Sequence, residues 1–164
     1  MYEASSLARK AGVKTYRDFC MQALEIAAGK PVSLEVIADD EDEMRRQARV
    51  LRGLGTNAVI KVPVTNARGE FMGPLIYSLC AAGVPVNVTA VFTREQVIKV
   101  GEALGRTGGG IVSVFAGRIA DAGVDPLAHV ALCRRALRRW CPGAEMLWAS
   151  PRQVYDVVLA ERAG

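Results

Sequence analysis

Lys61 is the only charge in an apolar run, Ala58-Val59-Ile60-Lys61-Val62-Pro63-Val64, which passes directly into Thr65-Asn66. A lone charge is costly away from water, so such a lysine pairs, reaches solvent along its own stem, or gives up its proton. The last outcome is chemically useful. A neutral ε-amine attacks carbonyl carbon, and desolvation is what brings a lysine toward neutrality. The alternative is a strand-edge charge that snorkels to solvent.

Four further short apolar runs can position that amine: Pro31–Val36, Pro85–Val91, Ile111–Ala116 and Met146–Ser150, with Ala58–Val64 second in order. At period two, Ser33 and Glu35 share a face in the first run, and Val59, Lys61 and Pro63 in the second. Asn87 and Thr89 share one in the third, Ser113 and Phe115 in the fourth, Trp148 and Ser150 in the fifth. The opposite faces are aliphatic, suited to packing under helices. Helix signals fill the gaps. Thr15 with Asp18 resembles a capping box before Tyr16–Ala28, which Gly29 can stop. Asp39 or Asp40 opens an acidic turn before Met44–Leu54, Thr93 and Gln96 cap the next helix, and Asp125-Pro126 starts another. Ser150-Pro151 is expected to open the last, with proline at its first position.

Strands alternating with helices imply βαβ units and a parallel sheet. A doubly covered sheet is apolar on both faces, whereas one polar face suits a barrel whose inward residues near strand C-termini form the site. No Gly-rich phosphate loop follows the first strand, which also argues against a dinucleotide-binding fold. The expectation is an α/β protein with a (β/α) barrel architecture.

Composition narrows the classes. The 164 residues, 51% hydrophobic, suit one domain with a proper core. No apolar stretch is long enough for a bilayer and no basic-then-apolar leader follows Met1, so a soluble, cytoplasmic protein is expected. Cys20, Cys80, Cys133 and Cys141 lack C-x-x-C spacing and partnering histidines, which points to buried free thiols rather than disulfides or zinc. A formal charge of +4 favours anionic ligands without naming one. Arg134-Arg135 and Arg138-Arg139 fit a solvated helix end, and no aromatic interleaving suggests a nucleic-acid groove.

Five segments then carry a resemblance: Val32-Ser33-Leu34-Glu35-Val36, Ile60-Lys61-Val62-Pro63-Val64-Thr65, Asn87 through Gln96, Ser113 through Asp121, and Ala149-Ser150-Pro151-Arg152. In order and at this spacing they resemble successive motifs of the transaldolase family. The resemblance implies that Lys61 is a Schiff-base lysine and that Glu35 and Thr89 manage protons through a catalytic water. It implies that Asn87 and Ser113 line the substrate, that Phe115 forms an aromatic wall, and that Arg118, Ser150 and Arg152 hold a sugar phosphate. Each position also has a plainer possibility. Ser150 would serve as a helix N-cap, Arg118 as a clamp on Asp121, and Glu35 as a charge balance for Lys61, while Asn87 and Thr89 would satisfy one another. His129 is expected to be a helix residue without function.

The family's barrels have eight strands, a fold of about 250 residues. By resemblance the five strands here are the third to seventh, making an incomplete barrel over residues 1–164. The family's first-strand aspartate has no counterpart. Ser6-Leu7-Ala8-Arg9-Lys10-Ala11-Gly12 survives, but Ala4 stands where a Thr-Asn-Pro-Ser motif would carry its asparagine. Open strand edges favour pairing, so a homo-oligomer or a fragment of a longer chain is expected. The implied activity is that of a transaldolase or related class I aldolase of pentose-phosphate-type carbohydrate metabolism, acting on a sugar phosphate with no cofactor. The competing expectation is a catalytically impaired barrel serving as an assembly or interaction module. A deoxyribose-phosphate type of aldolase fits the Gly-Arg-Ile-x-Asp and Asn-x-Thr motifs poorly.

Overall fold

Helix starts are set by side chains that accept the first free backbone N–H groups, each worth about 1 kcal/mol. In the computed structural model, which describes residues 12, 13 and 15–164, four such caps stand where the sequence places them. Thr15 accepts from Asp18 at 3.2 Å and opens α1, Tyr16–Ile26. Asp40 accepts from Asp42 and Glu43 and opens α2, Glu41–Arg52. Thr93 and Gln96 form a reciprocal capping box on α4, Arg94–Gly105. Asp125, followed by Pro126, opens α6, Pro126–Trp140. Ala4 and the stretch Ser6–Ala11 lie outside the described residues.

Two helices have no counterpart in the sequence reading. α3, Gly73–Ala81, begins without a side-chain cap. α5, Ala116–Asp121, begins at Phe115, again without one. The fourth strand therefore ends at Val114, Phe115 stands at the N-cap of α5 and Ala116 is the first residue of that helix rather than the last of the strand. The last helix, α7, spans Tyr155–Ala163, so neither Ser150 nor Pro151 starts it. Asp156 displaces the expected cap: its buried Oδ2 accepts from the backbone N–H of Arg152 at 2.6 Å and of Gln153 at 3.3 Å.

The strands are β1 Val32–Glu35, β2 Ala58–Pro63, β3 Val86–Val91, β4 Ile111–Val114 and β5 Glu145–Trp148. They form one parallel sheet in chain order, as the alternation of strands and helices requires. The chain divides into two compact units, residues 1–62 and 63–164. In the first, Leu34, Val36, Ala58, Ile60 and Val62 are buried together with Met44, Ala48 and Leu51 of α2 and Tyr16, Cys20 and Leu24 of α1. In the second, Val86, Val88, Val112 and Val114 supply the strand side of the core, and α4 packs on α6 through its buried Val97, Val100 and Leu104. Each Val, Leu, Ile or Met side chain among these, removed from water, contributes roughly 1.5–3 kcal/mol.

All four cysteines are free thiols, and Cys20, Cys133 and Cys141 are buried. Arg138 and Arg139 lie exposed in the last turn of α6, where their charge complements the helix C-terminus. No helix among the described residues is long and apolar enough to cross a membrane.

Candidate active site

The first unit brings an amine and a carboxylate together by strand register alone. Glu35 and Lys61 are parallel-sheet partners, so their side chains project to the same face. Lys61 Nζ lies 3.8 Å from Glu35 Oε2, close enough to be an ion pair and too far for a hydrogen bond. The Lys61 side chain is only 27% exposed, whereas that of Glu35 is 49% exposed. The Lys61 side chain is therefore the more covered of the two, and its carboxylate partner reaches water.

Tyr16 fixes that carboxylate's backbone, a contribution the sequence reading missed. Its hydroxyl donates to the Glu35 carbonyl and accepts from the Glu35 N–H, both at 2.9 Å. Burial, with a smaller contribution from Cys20, holds the Tyr16 phenol far above its usual pKa. The hydroxyl thus stays protonated and able to do both. The available signal was an aromatic residue with a polar tip in the first turn of a helix preceding β1.

In the second unit the polar face is buried. Asn87, Thr89 and Ser113 are each 3% exposed or less. Ser113 Oγ donates to Asn87 Oδ1 at 2.7 Å, which fixes the amide and turns its NH2 side away from Ser113. Asn87 therefore bonds Ser113, its neighbour on β4, where a bond to Thr89 was the plainer expectation. Thr89 Oγ1 is buried with no hydrogen-bond partner, a state that costs about 1–3 kcal/mol unless a ligand or water relieves it. The backbone at this point is unusual. Val88 and Val91 bracket a β-bulge against Val112 and Val114, and Ala90 within it has φ +57°. A bulge with a left-handed residue re-aims its neighbours, and here the neighbour is Thr89.

On β5 the face assignment from sequence is off by one residue. The register pairs Ser113 with Leu147 and Val114 with Trp148. Leu147, not Trp148, shares the polar face, and it is exposed. Ser150 lies past the strand at φ +60°, so strand parity does not govern where it points.

The arginines gather around α5. The Phe115 ring stacks edge-on with Phe92 at 5.4 Å, and the exposed Arg118 guanidinium lies 5.2 Å over the Phe115 ring. Arg118 does not clamp Asp121. The partner of Asp121 is Arg152, whose Nε and Nη2 donate to Oδ2 at 2.9 and 2.7 Å. Gly117 makes this approach possible. A Cβ there would collide with the Ser150 carbonyl and meet Arg152 Cγ at 3.1 Å. The amides of Arg152 and Gln153 are taken by Asp156, so neither is offered as a free helix-terminal donor.

His129 faces Cys133 Sγ at 3.4 Å one turn along α6, remote in sequence from these groups. A groove of the second unit, about 750 Å³, is lined by Phe71, Tyr77, Lys99, Glu102, Arg106 and Trp140 among others. No candidate residue lines it. Among the described residues no cluster of three or more His, Cys, Asp or Glu could hold a metal ion.

The strands of the first unit carry an amine–carboxylate pair, and those of the second a buried amide and hydroxyls followed by exposed arginines, side chains of the kinds that act in enzyme sites. The model of the transaldolase/fructose-6-phosphate aldolase family matches residues 5–164. Probable transaldolases of Herpetosiphon aurantiacus and Rhizorhabdus wittichii are each 33% identical to the chain over 159 residues, 97% of its length. The matched region spans 67% and 69% of those two relatives. A probable transaldolase of Thermoplasma acidophilum is 32% identical over 145 residues, 88% of the chain and 61% of the relative. The chain belongs to the transaldolase/fructose-6-phosphate aldolase family.

Proposed function

We propose that the protein is a class I aldolase of the transaldolase type with Lys61 as its nucleophile, built on a (β/α) barrel. What carries the proposal is the half-buried Lys61 side chain set beside Glu35 by strand register, in a chain of this family. Nζ attacks the C2 carbonyl of a ketose phosphate, and loss of water gives an iminium. That cation accepts the electron pair of the C3–C4 bond as a base removes the C4 hydroxyl proton. An aldehyde leaves, and a dihydroxyacetone enamine stays on the lysine. The enamine adds to an acceptor aldehyde, or takes a proton and is hydrolysed.

Glu35 and Thr89 manage protons through water. For Thr89 the support is its unpartnered hydroxyl, a ready site for that water. Asn87 and Ser113 orient substrate hydroxyls, Phe115 walls the site, and Arg118 and Arg152 bind the phosphate as planar forks of donors, with Ser150 contributing its hydroxyl. The pathway proposed is pentose-phosphate-type carbohydrate metabolism in the cytoplasm, and the protein works as a homo-oligomer.

The test is borohydride reduction in the presence of fructose 6-phosphate, with the adduct located by mass spectrometry. An adduct on Lys61 is expected, and Lys61→Ala should abolish it. A wild-type protein that forms none, or an adduct that survives Lys61→Ala, would sink the proposal.

A further inference from the structure

Three separate contacts immobilise Arg152, although it is an exposed loop residue. Its N–H is held by the buried carboxylate of Asp156 at 2.6 Å. Its aliphatic stem passes over Gly117. Its Nε–Nη2 edge is held by one oxygen of Asp121. A free arginine side chain carries about 2 kcal/mol of rotamer entropy, which a ligand must otherwise remove. A guanidinium has five N–H groups, and the Asp121 contact takes two of them. The remaining three, on Nη1 and the second Nη2 hydrogen, form the end-on edge suited to bidentate phosphate recognition.

We propose that Asp121 is a positioning residue for phosphate recognition: it fixes Arg152 along one edge so that the other edge is presented to the substrate phosphate. This rests on the assignment of Arg152 to phosphate binding above. Asp121 touches neither substrate nor reacting atoms. Its negative charge also repels a phosphate dianion, so the opposite role, that of a competitor for the guanidinium, makes the opposite prediction.

The experiment compares the wild-type full chain with Asp121→Asn, Asp121→Glu and Arg152→Gln. Inorganic phosphate serves as the probe of the anion site, and turnover of fructose 6-phosphate is followed in parallel. Asp121→Asn should weaken phosphate binding and raise KM for fructose 6-phosphate by roughly fivefold, as loss of an exposed ion pair allows. Its kcat should stay within about twofold, and Asp121→Glu should recover most of the affinity. A merely structural role would lower thermal stability and kcat together and leave no such split, which would overturn the proposal. Unchanged or tighter phosphate binding in Asp121→Asn, with weaker binding in Arg152→Gln, would overturn the positioning role and leave the phosphate assignment standing. Equal phosphate binding by wild type and Arg152→Gln would overturn both.

Discussion

Thr89 is where stability and chemistry pull apart most sharply. Its hydroxyl is buried without a partner, while its neighbours Asn87 and Ser113 bond each other. A folded chain gains nothing from that hydroxyl and bears its desolvation. Thr89→Val keeps the shape and removes the orphan. It should raise stability by on the order of 1 kcal/mol and lower turnover by roughly 10²-fold if the hydroxyl holds a proton-carrying water. Thermal melting and a fructose 6-phosphate assay check the two halves, and a variant that is less stable yet fully active would refute both. Lys61 and Glu35 differ in kind. Their pairing follows from register, so it was readable as soon as the strands and their parity were. The role of Tyr16 had only its polar-tipped aromatic type as a signal, because a side chain that bonds the backbone 19 residues away leaves no periodic trace.

Among the elements, the β3 bulge is the feature with a local cause that can be tested. Ala90 sits at φ +57°, where a residue with a Cβ loses roughly 1–2 kcal/mol and a β-branched one more. Ala90→Val should lower the urea midpoint by an amount equivalent to about 2 kcal/mol or more, whereas Ala90→Gly should stay within about 1 kcal/mol of wild type. A valine variant as stable as wild type would mean that the backbone at this residue is not left-handed. The same bulge shows why sequence carried some elements and not others. Caps at Thr15, Asp40, Thr93 and Asp125 are chemical statements made within four residues, and each helix begins where its cap stands. α3 and α5 lack such caps, and Pro74 in the first turn of α3 is a start signal without a cap to support it. Parity succeeded on β1 to β4 and failed on β5, where only pairing with β4 reveals that Leu147 lies beside Ser113. Ser150-Pro151 looked like a helix start because proline is favoured there, but the carboxylate of Asp156 takes the amides of Arg152 and Gln153 and delays the helix to Tyr155.

Over the whole molecule, buried acids set the response to alkali. Burial, reinforced by Glu95, pushes the Cys133 thiol up to about 11. Burial also raises Cys20, Cys80 and Cys141, and Tyr16 moves the same way. An unfolded thiol ionises near about 8.5. Between that value and the folded one the unfolded chain binds fewer protons, so stability falls as pH rises. It is fully present below about pH 8.5 and is lost progressively toward pH 11. Urea midpoints at pH 7.5 and pH 10 should differ by the equivalent of on the order of 2 kcal/mol. Cys133→Ala should start lower, because of its cavity, and fall less steeply. A midpoint that rises with pH across this window would contradict the burial of these groups. Composition alone suggested buried thiols, and the five strands, their order and the alternation with helices were likewise legible. The division into two compact units was not, since no glycine- or proline-rich linker marks residues 62 and 63.

Gly117 carries a consequence of another kind. Its missing β-carbon lets the Ser150 carbonyl and the stem of Arg152 lie against α5. A change at 117 to any other residue would have to be accompanied by a shift of the 149–152 turn, so no single substitution can pass through this position unharmed. Arg118 and Ala120, exposed on the same helix, can drift one at a time as far as folding is concerned. Descent of this protein is therefore narrowly channelled at a residue with no side chain, and a lineage that lost the activity altogether would still be held to glycine there.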